Sequence, residues 1–87
     1  MFTATLTVQD YHSEVPEKSY AGSGDTIFDA ISNIPFDRSK FKIKAVLTVS
    51  DGEKKAERLF YVAKLKAIFA SKPIRQVYAK QFQMLLK

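Results

Sequence analysis

From Phe2 to Gln9 the chain alternates without a break, with Phe2, Ala4, Leu6 and Val8 on one side and Thr3, Thr5, Thr7 and Gln9 on the other. A period of two in β-branched company predicts a strand with one face toward a core. The same period returns at Phe41, Ile43, Ala45, Leu47 and Val49, set against Lys42, Lys44, Val46, Thr48 and Ser50. That run ends at Asp51-Gly52, beyond which strand-like residues resume as far as Val62. Asp and Gly tolerate the positive φ of a tight turn, so residues 41–62 predict a β-hairpin. With a two-residue turn Ser50 would pair with Glu53, Leu47 would face Ala56, and Ile43 would face Phe60. On the other side Lys44 would face Leu59 and Lys42 would face Tyr61.

Residues 15–22, VPEKSYAG, form a weaker strand, and Pro16 cannot donate to a ladder, which assigns it to an edge. Gly22-Ser23-Gly24 breaks that run. A helix then opens at Asp25-Thr26, where Thr26 and Asp29 have capping-box spacing and Ile27, Phe28, Ala30, Ile31 and Ile34 share one face. Pro35 stops it after about two to three turns. Residues 63–70 (AKLKAIFA) read as a short helix or as the last strand running on into one. Ser71-Lys72-Pro73 is a fresh helix start, and Ile74, Val77, Tyr78, Phe82 and Leu85 make an apolar stripe along the final segment.

The resulting order, strand, strand, helix, strand, strand, then one or two helices, resembles the β-grasp arrangement. Residues 24–43, GDTIFDAISNIPFDRSKFKI, are similar to the helix and following turn of ubiquitin-like domains. The resemblance implies an α+β domain whose four-stranded mixed sheet (β-β-α-β-β) has its first and last strands parallel at the centre. Residues 63–87 would follow as a helical, basic C-terminal extension with no place in that core pattern. Eighty-seven residues suit a single domain, and 46% hydrophobic content is ample for its core.

Charge changes the picture more than composition does. Residues 1–52 hold five Lys/Arg against seven Asp/Glu, and residues 53–87 hold nine against two. No acidic residue follows Glu57, so the last third cannot neutralise itself through its own ion pairs and should present positive potential. An anionic partner, DNA or RNA, fits that asymmetry. The candidate contacts are Lys64, Lys66, Lys72, Arg75 and Lys80, with Lys42, Lys44, Lys54 and Lys55 near the hairpin and Tyr61 or Tyr11 as a stacking face. The competing interpretation is that these cations only solvate their helix faces.

The apolar stripe Ile74, Val77, Tyr78, Phe82 and Leu85 offers a second function, docking on another copy of the chain or on a larger protein assembly. Its ordinary role would be to cover the chain's own sheet. The first helix already occupies one face of that sheet, however, and Thr3, Thr5, Thr7, Lys42 and Lys44 make the other a poor partner for an apolar stripe. The same basic amphipathic helix could lie on a membrane surface, though it has no Trp anchor.

Catalytic chemistry has little support. His12 beside Tyr11 and Ser13 lacks a nucleophile, base and orienter, Asp25 and Asp29 are explained by capping, and Gly22-Ser23-Gly24 precedes acidic residues that repel phosphate. The sequence therefore reads as a non-enzyme with no cofactor and no small-molecule substrate. One His and no Cys leave no metal site and no disulfide framework. No apolar run approaches the roughly 18 residues of a membrane span, and the N-terminal residues lack a signal-peptide pattern, which gives a cytoplasmic expectation.

Overall fold

The computed structural model describes residues 1–8, 18–37 and 43–86. Within them the order is β1 (Phe2–Val8), β2 (Ser19–Gly24), α1 (Ile27–Ser32), β3 (Lys44–Ser50), β4 (Lys55–Tyr61), α2 (Val62–Ala70) and α3 (Lys72–Leu85). The fold is α+β, and the strands form one antiparallel sheet in the order β2-β1-β3-β4.

Alternation governs β1 and β3 as their sequences require. Ala4, Leu6, Ala45, Leu47 and Val49 are all buried on the inner face. Leu6 lies opposite Leu47, and Ala4 opposite Val49, so the two best-alternating segments pair at the centre of the sheet. This is where the fold departs from the β-grasp order. The central pair is β1 with β3, antiparallel, and no parallel pairing of first and last strands occurs among the described residues. The last strand is unsuited to the centre because Lys55, Glu57 and Arg58 put charge on both of its faces, a composition that belongs on an edge. β2 forms the opposite edge, as its weaker pattern implies. Pro16, on which that inference rested, lies outside the described residues.

The hairpin is present, but its turn is longer than two residues. Ser50 lies opposite Lys55, with Asp51 to Lys54 between them. Asp51 closes this loop as an acceptor: Oδ1 takes hydrogen bonds from the backbone N–H groups of Glu53 at 2.9 Å and Lys54 at 2.7 Å. Gly52 adopts φ +102°, the left-handed region that suits glycine. The two extra residues shift the pairing, so Lys44 faces Tyr61, Val46 faces Leu59, Leu47 faces Arg58 and Ala45 faces Phe60.

Capping fixes both predicted helix starts. Thr26 Oγ1 accepts from the N–H of Asp29 at 3.0 Å, and Ser71 Oγ accepts from the N–H of Ile74 at 3.4 Å with Pro73 in the first turn. α1 has six residues, shorter than the two to three turns expected. It packs over β2 and β1, leaving room on the same face for α2 and α3 beside β4. That arrangement removes the crowding anticipated from the sequence. Leu65 and Ile68 of α2, Ala79 and Phe82 of α3, and Leu86 join Ile27, Ala30, Ile31 and the inner sheet face in one core. α3 is thus part of the layer that closes the core. The opposite sheet face, carrying Thr3, Thr5, Thr7, Lys44, Val46, Leu59 and Tyr61, contributes nothing to that cluster.

Candidate nucleic-acid interface

Where β4 passes into α2, these two elements each bring one cation to the side of α3. Arg58, on the edge strand, faces the helical side because its partner across the ladder is the inward-pointing Leu47. Its Nη1 donates to Gln81 Oε1 of α3, and its guanidinium carbon lies 5.7 Å from the ring centre of Tyr78 and 5.2 Å from that of Phe60. Lys64 of α2 approaches the same Tyr78 ring, with Nζ 6.0 Å from its centre. Phe60 meets Tyr78 edge-on at 5.3 Å and 89°, which helps to hold the ring that both cations approach. Arg58 and Lys64 are both exposed, and among the described residues neither has a carboxylate partner.

The other proposed basic residues are dispersed. Lys72 and Lys80 are exposed on α3, and Lys54 and Lys55 project from the hairpin end. Lys44 and Tyr61 are directly opposite on the uncovered sheet face, where Tyr61 is 62% exposed and Leu59 is 46% exposed. Lys66 and the half-buried Arg75 lie apart from Arg58 and Lys64, in a groove with Phe36 and Phe69. Lys42 and Tyr11 lie outside the described residues, as do His12 and Ser13. The lysines therefore form separate patches on the helical layer, the hairpin end and the open sheet face, instead of one stripe.

The apolar stripe divides as well. Phe82 is fully buried and Tyr78 half-buried, so both serve the chain's own core. Ile74, Val77 and Leu85 face outward, with Val77 54% and Leu85 56% exposed, and Met84 joins them at 74%. The inward line is Arg75, Tyr78, Ala79, Phe82 and Leu86, which follows helical spacing and swaps two of the expected aliphatics for smaller or charged residues. Each α3 side chain of the docking stripe is accordingly either a core residue or a member of a narrower exposed arc.

Arg58 and Gln81 were not singled out by the sequence. Either loop length puts Arg58 on the helical side, opposite Ala45 with a two-residue turn and opposite Leu47 with the observed loop, but only the edge position of β4 and the packing of α3 against it give Arg58 its Tyr78 and Gln81 neighbours. No group of three His, Cys, Asp or Glu residues able to hold a metal occurs among the described residues, and none of the helices there is long and apolar enough to cross a membrane. No family model, curated protein or solved structure matches the chain.

Proposed function

We propose that the protein is a non-catalytic nucleic-acid-associated domain that contacts the phosphate backbone through its basic C-terminal third. The observation that carries this reading is the convergence of Arg58 and Lys64, from two different elements, on the single ring of Tyr78 without a carboxylate among the described residues to neutralise either. Phosphate oxygens are the complementary charge, and an ordered arginine can present several N–H donors to them. Lys72 and Lys80 extend the positive potential along α3. Little base readout is expected, since no recognisable DNA- or RNA-binding motif accompanies these cations, which suit phosphate oxygens.

The test is anisotropy titration of labelled single- and double-stranded DNA and RNA across a range of salt. Affinity should fall steeply as salt rises. Arg58→Gln, Lys64→Gln and Lys80→Gln should each lower the salt slope by roughly one unit if the replaced cation neutralises one phosphate. Undetectable binding to all four nucleic acids at low salt would remove the proposal.

A second reading, protein docking or self-assembly, is favoured by the outward arc of Ile74, Val77, Met84 and Leu85. Aliphatic side chains exposed together along one helix are a common anchor for another chain. Sedimentation of the full chain beside a Val77→Ser, Leu85→Ser variant separates the readings: loss of a dimer with retained nucleic-acid binding assigns the arc to assembly alone.

A further inference from the structure

Between α1, residues 34–37, α2 and the start of α3 lies a groove of about 530 Å³, lined by Ser32, Ile34, Phe36, Lys66, Phe69 and Arg75 among others. That volume is within the range of small-ligand sites, roughly 300 to 1,000 Å³. Its two walls differ in chemistry. Phe36 and Phe69 stack face to face, with ring centres 4.4 Å apart and planes 7° from parallel. Lys66 and Arg75 supply positive charge, and among the described residues neither is paired with a carboxylate. Asp37, also in the lining, is exposed and engaged in an interaction of its own.

Arg75 is held in place before any ligand arrives. Nη1 donates to the carbonyl oxygen of Phe69 at 3.2 Å, and the guanidinium carbon lies 5.2 Å from the ring centre of Phe28. Use of Nη1 leaves the edge formed by Nε and Nη2, whose two parallel N–H bonds match two oxygens of a phosphate. Nε is buried and has no acceptor among the described residues, and the buried Oγ of Ser32, in the same lining, has no partner there either. Buried polar atoms are nearly always hydrogen-bonded, so two orphans in one lining need an explanation. Both are closed to bulk water as the groove stands, so a ligand oxygen reaches them only with a small shift of the wall, while Nη2 and Lys66 supply the donors that need none.

An oxyanion alone would leave the aromatic wall unused, and an apolar aromatic alone would leave the cations unpaired. We infer that this groove binds a nucleotide, with its phosphate on Arg75 and Lys66 and its base against the Phe36–Phe69 stack. The site is separate from the Arg58 and Lys64 surface, and the inference does not depend on backbone binding there. A free nucleotide and the terminal nucleotide of a strand share this chemistry.

The test is a ¹H–¹⁵N NMR titration of the full chain with AMP, adenosine and inorganic phosphate, and with a short oligothymidylate carrying or lacking a 5′-phosphate. AMP should move the amides of Ile34, Phe36, Lys66, Phe69 and Arg75, and bind about tenfold tighter than adenosine, the difference expected of one additional charge-assisted hydrogen bond, and about tenfold tighter than phosphate, the difference expected of one base stacked on an aromatic ring. Lys66→Gln, at an exposed position, should weaken AMP by a similar factor while leaving the rest of the spectrum folded. Arg75→Lys keeps the charge but removes the fork, and should weaken AMP as well. Groove shifts caused by the 5′-phosphorylated strand assign the site to strand ends, and shifts with AMP alone assign it to free nucleotide. Still amides at millimolar AMP, equal affinity for phosphate and AMP, or indifference to Lys66→Gln would each overturn the inference. Salt-dependent strand binding through Arg58 and Lys64 could survive any of these results, so the two proposals fail separately.

Discussion

Gly22 lies so close to the end of α1 that a Cβ built on it would stand 2.5 Å from the carbonyl oxygen of Ala30 and 2.5 Å from the N–H nitrogen of Ile34. Both atoms are backbone, so neither can swing away. The close approach seats α1 on β2 and thereby leaves the β3 and β4 side of the same face to the C-terminal helices. Gly22→Ala should therefore cost at least the 1–3 kcal/mol typical of overpacking, about the upper end because the helix itself must move. Gly52 provides the contrast. Its Cβ would meet nothing within 4 Å, and only its φ of +102° opposes a side chain. Gly52→Ala should cost about 1 kcal/mol, and Gly52→Val somewhat more. Chemical denaturation of the three variants ranks them, and a Gly22→Ala protein as stable as the parent would mean that α1 does not rest on β2.

The hairpin loop carries a pH dependence. Hydrogen bonds from the backbone N–H groups of Lys54 and then Glu53, aided by the charge of Lys54, hold the Asp51 carboxyl below its ordinary value of 3.8. A carboxylate whose pKa is depressed in the folded state stabilises the fold above its unfolded pKa, and that contribution disappears as pH falls through the folded pKa. The parent should therefore exceed Asp51→Ala in melting temperature at neutral pH, with the gap closing below about pH 4. A gap of constant size down to about pH 2, below the ordinary carboxylate range, would show that the charged form of Asp51 contributes nothing to the loop.

Much of this architecture was legible in the sequence because the relevant forces are local. Alternation in residues 2–8 and 44–50 identifies two strands with one core-facing side, and the Thr26 and Ser71 caps identify two helix starts. Partner choice in the sheet was less legible. It depends on which strand tolerates an edge, and the charges of Lys55, Glu57 and Arg58 speak to that only once the competing topologies are compared. The α3 stripe misled for a related reason: Tyr78 and Phe82 do face inward, but the seam turns toward Arg75, Ala79 and Leu86, since Ala79 and Leu86 are buried in the core that α3 shares with α1 and the Arg75 guanidinium lies against Phe28 of α1. Of the candidate site, the charge was visible, whereas the convergence on Tyr78 and the Phe36–Phe69 groove arise from tertiary packing alone.

Phe82 and Leu85 are three residues apart on one helix and should respond very differently to the same substitution. Phe82 is fully buried, and Phe82→Ala should cost about 3–5 kcal/mol through reduced burial and the cavity left behind. Leu85 is 56% exposed, and Leu85→Ala should change stability by about 0.5 kcal/mol or less. Urea unfolding of the two variants measures both effects, and similar losses at the two sites would place the α3 seam elsewhere.

Removing α3 is the sharper test of how the core closes. A chain ending at Ser71 keeps all four strands, α1 and α2, yet it lacks the Ala79, Phe82 and Leu86 side chains of the core cluster and the Tyr78 ring that meets Phe60. Ile27, Ala30 and Ile31 of α1 would then be without the neighbouring helix that helps keep them dry. Each large core side chain removed typically costs a few kcal/mol, and a domain of this size has about 5–10 kcal/mol in all. The truncated chain should accordingly melt without a cooperative transition and give a collapsed amide spectrum, while the full chain shows dispersed resonances. If the shortened protein instead unfolds cooperatively near the parent melting temperature, α3 is an appendage, and its outward arc of Ile74, Val77, Met84 and Leu85 becomes the stronger reason for the helix to exist.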